Sequence, residues 1–228
     1  MTVIRGISSM ATRQLLGELG AMYQKLAGVE TRIESVGGVD AARRVDAGEA
    51  FDVVVLASDA IAKLQESGKV LAGSRVDLVR SGVSVAVKAG GKLPDIRTEE
   101  SLKRAVLAAP TIGYSTGPSG TALVKLFERW GIADALKGKL VQAPPGVPVG
   151  SLVADGKVAI GFQQLSELIH QGGIEIVGAM PAPVEINTVF SGAICATCMQ
   201  RDAARELLLF MASPPTADAK RRQGMEPA

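Results

Sequence analysis

The stretch Thr111-Ile112-Gly113-Tyr114-Ser115-Thr116-Gly117-Pro118-Ser119-Gly120 decides how the chain reads. Its apolar start predicts a short strand over 111–114, its Ser/Thr/Gly run a turn, and its Pro118-Ser119-Gly120 end the opening of a helix over 119–131. Leu123, Leu126, Phe127 and Trp130 then share the inward face of that helix. The same pattern recurs outward in both directions. Val3-Ile4-Arg5 runs into Gly6-Ile7-Ser8-Ser9, and Ile33-Glu34-Ser35-Val36 into Gly37-Gly38-Val39-Asp40. Leu140-Val141-Gln142 leads to Pro144-Pro145-Gly146-Val147-Pro148-Val149-Gly150, and Val158-Ala159-Ile160 to Gly161-Phe162-Gln163-Gln164. A helix start carries unpartnered N–H groups and about half a positive charge, so several of them together predict a receptor for a small anion.

Between these units the periodicity predicts strands over 30–36, 51–56, 82–88, 174–177 and 187–196, and helices over 9–27, 60–67, 99–108, 149–155 and 201–212. Asp40 is expected to cap a short helix over 40–46, a helical turn is expected over 166–171, and a loosely held tail from 217 onward. Alternating strands and helices imply an α/β protein with right-handed crossovers and ligands beyond the carboxyl ends of the strands. The expected layout is two lobes, residues 1–81 with 188–228 and residues 82–187, each a mostly parallel sheet flanked by helices. Crossing strands join them, with a ligand cleft between.

Composition narrows the function classes. The 228 residues are 47% hydrophobic but only 4% aromatic, as expected of Ala/Val/Leu/Ile cores around parallel strands. A net charge of +2 with both signs interspersed offers no basic stripe for nucleic acid and no polybasic arm for a membrane surface. No apolar run approaches the roughly 20 residues of a membrane span. The start shows no secretory pattern, so the chain as written is expected in the cytoplasm, and in the periplasm if a signal peptide has been removed. Cys195-Ala196-Thr197-Cys198 lies in a β-rich segment where residues three apart face opposite sides, and reads as two buried free thiols. With His170 the lone histidine, no metal site is expected, and no cofactor. There is no Ser-His-Asp order, P-loop or dinucleotide fingerprint, which disfavours hydrolysis, phosphoryl transfer and hydride transfer. A monomer is expected.

Several stretches together resemble the type II periplasmic-binding-protein fold, and within it the molybdate-binding proteins of ABC transporters. They are the first turn ending Ser8-Ser9, the run Val45-Asp46-Ala47-Gly48-Glu49-Ala50-Phe51-Asp52-Val53-Val54-Val55-Leu56-Ala57-Ser58-Asp59, the Gly161-Phe162 strand end and the segment 207–214. The resemblance covers residues 2–214. It implies an oxyanion held by two serines, by backbone N–H groups and by a tyrosine. Ser8 or Ser9 matches the first serine, Val39 stands where the second would follow the double glycine, and Gln164 stands where the tyrosine would be. Loss of those hydroxyls disfavours a tetrahedral metal oxyanion and favours an organic carboxylate.

Arg5, read at the carboxyl end of the first strand, is the expected carboxylate anchor, against a surface or lobe-bridging ion pair. Ser58, Ser115, Thr116, Ser119, Gly120, Thr121, Pro148, Val149 and Gly38 are expected to line the site through hydroxyls or backbone. Gln163 and Gln164 read either as a ligand-facing amide pair or as an exposed turn. Tyr114 points at the cleft or packs below it. The segments Tyr114-Ser115-Thr116-Gly117-Pro118-Ser119-Gly120 and Gly161-Phe162-Gln163-Gln164 are also similar to a divergent branch, the aconitate isomerases. That branch implies a base that moves a proton next to an unsaturated carboxylate, with Tyr114, His170 and Asp40 as leading candidates and Asp59 and Glu167 beside them. The expected partners are therefore a small anion and, only if the chain is exported, an ABC permease.

Overall fold

The computed structural model describes residues 2–228 and divides them into two units, one formed by the chain up to Ser81 with Thr188–Ala228, the other by Gly82–Asn187. In chain order the first unit begins with β1 (Val3–Ser9), α1 (Arg13–Ala27), β2 (Glu30–Val36), α2 (Gly38–Asp46), β3 (Val53–Ala57) and α3 (Ser58–Glu66). The chain leaves this unit within β4 (Val76–Lys88). The second unit adds α4 (Glu99–Ala108), β5 (Ile112–Tyr114), α5 (Pro118–Arg129), β6 (Leu140–Gln142), α6 (Val149–Ala154), β7 (Ile160–Gln164), α7 (Leu165–Leu168) and β8 (Ile174–Ala179). The chain returns within β9 (Asn187–Ile194) and ends with α8 (Arg201–Ala212), α9 (Ala217–Arg222) and β10 (Glu226–Pro227).

In the first unit β1 lies between β2 and β3, parallel to both, with Ser9 opposite Val36 and Ser8 opposite Val55. Alternation along β1 sends Ile4 into a core with Leu15, Leu19 and Leu207, and Ile7 into a second core with Ala41, Val54 and Ile61. The strand is thus covered on both faces beyond Arg5, with Gly6 to Ser9 all buried. β9 joins antiparallel beside β3, and β10 pairs antiparallel with the first half of β4. Arg44 ties β2 to the loop before β3, bonding Glu34 at 2.8 Å and Glu49 at 2.6 Å.

The second unit repeats the plan. β5 lies between β6 and β7, parallel to both, and the second half of β4 runs antiparallel to β7 and β8. Phe127 of α5 meets Phe162 of β7 edge-on at 6.3 Å. On the opposite face α6 presses close to the strands: a Cβ on Gly161 would lie 2.5 Å from Val153 Cγ2, and one on Gly113 2.9 Å from Val149 Cγ1. The α/β class, with parallel strands at the centre of each sheet, is the architecture expected; the added antiparallel strands make both sheets mixed.

Several expectations are corrected. The first strand does not stop at Arg5 but runs to Ser9, because Gly6 is no turn: its missing Cβ would sit 2.8 Å from Val53 Cγ2 in the neighbouring strand. Asp40 is not a cap. α2 opens two residues earlier with Gly37 as its N-cap, and Asp40 lies in the first turn, paired with Arg43. β4 starts at Val76 rather than at 82, and β7 extends through Gln164.

The last residues are not a loose tail. α9 buries Ala219 and Lys220, Met225 is buried in the first core, and β10 bonds the sheet edge. Burial of Met225 and Ala219 is worth about 2–4 kcal/mol. A chain stopped after Thr216 should therefore melt about 5–15 °C lower by circular dichroism, at the few degrees per kcal/mol typical of this chain length.

Candidate functional site

Each unit presents the carboxyl ends of three parallel strands, and a helix opens directly after each. In the first unit β1 delivers Ser9, β2 delivers Gly37 and Gly38, and β3 delivers Ser58 as the first residue of α3. The Ser8 hydroxyl is engaged between strands, 2.8 Å from Ser35 Oγ. Ser9 differs: its Oγ is buried and has no hydrogen-bond partner among the described residues. A Cβ on Gly38 would lie 3.5 Å from Ser9 Cβ, so α2 begins directly against this serine. Neither α2 nor α3 has a side-chain cap, which leaves the amides of their first turns pointing out of the edge. The next residue of α2, Val39, stands 67% exposed beside them.

Arg5 is not part of this edge. It is the third residue of β1, four ahead of Ser9, and at about 3.3 Å per residue it lies about 13 Å from the carboxyl end. There it is exposed, and its backbone N–H donates to Asp52 Oδ2 at 2.9 Å. The error follows from reading Gly6 as a turn.

In the second unit β5 ends at Tyr114 and leads through Ser115, Thr116 and Gly117 to α5, also without a side-chain cap. α4, by contrast, which does not open at this edge, is closed by a Thr98–Ser101 capping box. Ser115 and Ser119 share a hydroxyl bond of 3.2 Å across the α5 start. Gly120 is obligatory here, since a Cβ would fall 1.9 Å from the Ser115 carbonyl oxygen and 3.2 Å from the Tyr114 ring. Tyr114 is half-buried and packs against the core, the lower of its two expected placements. Thr121 is exposed and turns one step further around the helix, its hydroxyl 3.5 Å from the Gly117 carbonyl.

β6 leads through the proline loop to α6. Pro148 is its N-cap, and the Val149 side chain is buried in the core, so only its backbone faces outward. β7 ends with Gln163 and Gln164 as its last two residues. Both are buried, which removes the exposed-turn reading. Gln163 Oε1 accepts from the Gly150 backbone N–H at 3.2 Å. Glu167, four residues beyond it on α7, is half-buried. Burial pushes the Glu167 carboxyl up to about 7, with the Gln163 amide acting the other way. Ser166 beside it is buried, and its hydroxyl has no hydrogen-bond partner among the described residues.

The second edge therefore carries Ser115, Ser119 and Gly120 at the end of β5 and Gln163 and Gln164 at the end of its parallel neighbour β7, with Glu167 on the helix that follows β7. The remaining base candidates lie apart in character: Asp40 is ion-paired, while Asp59 and His170 are exposed. Glu167 was the least distinguished of the candidates in sequence. The available signal was its position three residues after a strand-terminal glutamine; its burial is a tertiary property that no local pattern carries.

Cys195 and Cys198 are free and buried, and join the two opposite cores of the first unit as their spacing implied. Burial pushes their thiols up to about 12 and about 11, so neither is a nucleophile at neutral pH. Among the described residues no group of three His, Cys, Asp or Glu side chains is arranged to hold a metal, and no helix is long and apolar enough to cross a membrane.

Helix starts at the carboxyl ends of parallel strands, repeated in two units of one chain, are the layout of a two-unit α/β binding protein. Residues 4–226 match the family model described as bacterial extracellular solute-binding protein, and the chain belongs to that family. Among its relatives, an aconitate isomerase of a Pseudomonas species is 35% identical over 233 residues, covering 100% of this chain and 88% of the enzyme. The molybdate-binding protein ModA of Azotobacter vinelandii is 24% identical over 191 residues, 79% of this chain and 73% of ModA. The solved periplasmic molybdate-binding protein of Azotobacter vinelandii matches with a TM-score of 0.81 at 20% identity, covering 97% of this chain and 98% of that one. The resemblance expected from the sequence thus holds at the level of family and fold.

The raised Glu167 carboxyl has a thermodynamic signature. Between its ordinary value of 4.5 and about 7 the folded protein keeps a proton that the unfolded chain has released, so stability falls as pH rises through that window. Glu167→Gln should remove this contribution. Differential scanning fluorimetry should find the variant melting about 2–6 °C above the parent at pH 8 and close to it at pH 4.5.

Proposed function

We propose that the protein binds a small unsaturated polycarboxylate through the uncapped helix starts of its strand edges and moves a proton within it, as an isomerase of the aconitate type. The observation that carries this reading is Glu167: a half-buried carboxyl held near neutrality, beside a hydroxyl- and amide-rich edge. A base works best when its proton affinity lies near the operating pH, and an ordinary surface carboxylate is too weak. Similarity to an aconitate isomerase along the full chain supports the same chemistry.

In this reading ionised Glu167 takes a proton from the methylene carbon between a carboxylate and the double bond. The electron pair spreads over the allylic carbons and the conjugated carboxylate, where N–H donors of the α5 start stabilise the charge. The protonated Glu167 then returns the proton to the far allylic carbon, and the double bond has moved. Nothing is oxidised or reduced, and no co-reactant is consumed.

Val39 favours an organic acid over an inorganic oxyanion. An exposed valine at a helix start offers no hydroxyl to a tetrahedral anion and offers contact to a carbon skeleton. Turnover is followed by proton NMR with cis- and trans-aconitate. Interconversion of the two is expected from the parent, and at least about a 100-fold slower rate from Glu167→Gln. Stabilisation by these acids without interconversion would instead assign the chain to ligand capture alone, the reading favoured by its family description.

Thermal-shift titration provides a separate check on selectivity. Val39→Ser should strengthen sulfate and molybdate binding by about 1 kcal/mol, one added hydrogen bond, and weaken the organic acid.

A further inference from the structure

A groove of about 290 Å3 opens in the second unit between α5 and the ends of β5 and β6, lined by Tyr114, Thr121, Val124, Lys125, Glu128 and Gln142. Its walls follow from the fold. Thr121, Val124, Lys125 and Glu128 fall at i, i+3, i+4 and i+7 of α5 and so share one face of the helix. Tyr114 and Gln142 are the last residues of two parallel strands and stand opposite each other in register, so their side chains leave the sheet on the same face. Both walls are held in place. The other side of α5 is buried through Leu123, Leu126 and Phe127, and a Cβ on Gly120 would come within 3.2 Å of the Tyr114 ring, so the helix is seated against the strand end.

The polar groups of this groove are not engaged with the rest of the protein. Among the described residues the Tyr114 hydroxyl, the Gln142 amide, the Lys125 ammonium and the Glu128 carboxylate make no hydrogen bond or ion pair. Elsewhere in the unit opposite charges at the same i,i+3 spacing do close on each other, Asp134 and Lys137 at 2.7 Å. Lys125 and Glu128 do not, and both signs face one concave surface.

We propose that this groove is a ligand site for a small zwitterion of the amino-acid type, with Lys125 meeting its carboxylate, Glu128 its ammonium, and Gln142 and Tyr114 its side chain. Helix residues three apart have Cβ atoms about 5–6 Å from each other, close enough to meet both charges carried by one carbon. A simple anion would gain Lys125 but face Glu128, and a simple amine the reverse, so only a molecule with both signs satisfies the pair. A single carboxylate with no second acidic ligand does not hold a divalent cation. At about 30 Å3 of liquid volume per water-sized group, the space suits a ligand of about ten non-hydrogen atoms. Half-buried Val124 and the Tyr114 ring give it an apolar wall. The site is separate from the proposed reaction: Glu128 repels a polycarboxylate, and neither charged residue lies at the α5 start with Ser115 and Ser119.

The test titrates 15N-labelled full-length protein with L-serine, L-glutamine and L-methionine in turn, followed by 1H–15N correlation spectra. At least one of them should move the backbone amides of 114, 121–128 and 142 saturably, with a dissociation constant of about 0.1–10 mM, as a small open site allows. The same molecule lacking its ammonium, or lacking its carboxylate, should bind at least about tenfold more weakly. Lys125→Met and Glu128→Gln replace exposed side chains and should leave the melting temperature unchanged while each weakens binding by a similar factor. Absence of saturable shifts at these amides from all three amino acids up to about 50 mM would overturn the proposal. So would undiminished affinity in both folded variants, or equal affinity for an analogue carrying one charge.

Discussion

A parallel strand cannot return to its neighbour without a crossover, and in both units the crossover is a helix that opens where a strand ends. This one constraint gathers the unpaired N–H groups of several helices at one edge of each sheet. The first turns of α2, α3 and α5 carry no side-chain caps, so their positive ends stay available to a negative ligand. The positive ends of these helices come from backbone geometry and not from a charged side chain.

Close approach is what keeps that geometry rigid. Gly120 lets the α5 start settle on the Ser115 carbonyl, and Gly113 and Gly161 let α6 lie against its strands. With α6 held down, the Gly150 N–H reaches the Gln163 carbonyl oxygen at 3.2 Å and fixes that amide. A buried carboxyl with no charged neighbour would be strongly biased toward its neutral form; a single amide donor offsets part of that bias. The edge thus combines fixed dipoles for binding with one side chain able to change its protonation state near neutral pH.

Much of this was legible in the sequence where local rules agree. β2, α4 and α8 keep the bounds that periodicity predicts, because each has clean amphipathic spacing and ordinary end signals. The serines and glycines of 115–120 were recognisable because one capping residue would not need so many companions. Gly6 misled because a glycine punctuates loops and also admits a neighbouring strand, and only the position of Val53 decides between them. That ambiguity displaced Arg5 by the length of half a strand. Glu167 was among the candidate bases, but its burial and that of the final helix escaped for a related reason: burial depends on what packs from far along the chain.

The division of the chain carries a consequence for how the protein is made. The second unit is a continuous run, Gly82–Asn187, whereas the first needs both Val3–Ala57 strands and the closing segments from Thr188 onward. The amide of Ala228 itself bonds the Leu78 carbonyl at 3.4 Å. During synthesis the middle of the chain has all its partners soon after it leaves the ribosome, while β3 waits with an unpaired flank until β9 arrives. The run Gly82–Asn187 is therefore complete before β9 is made, and the strands that carry the Ser9 edge gain their last neighbour only after it.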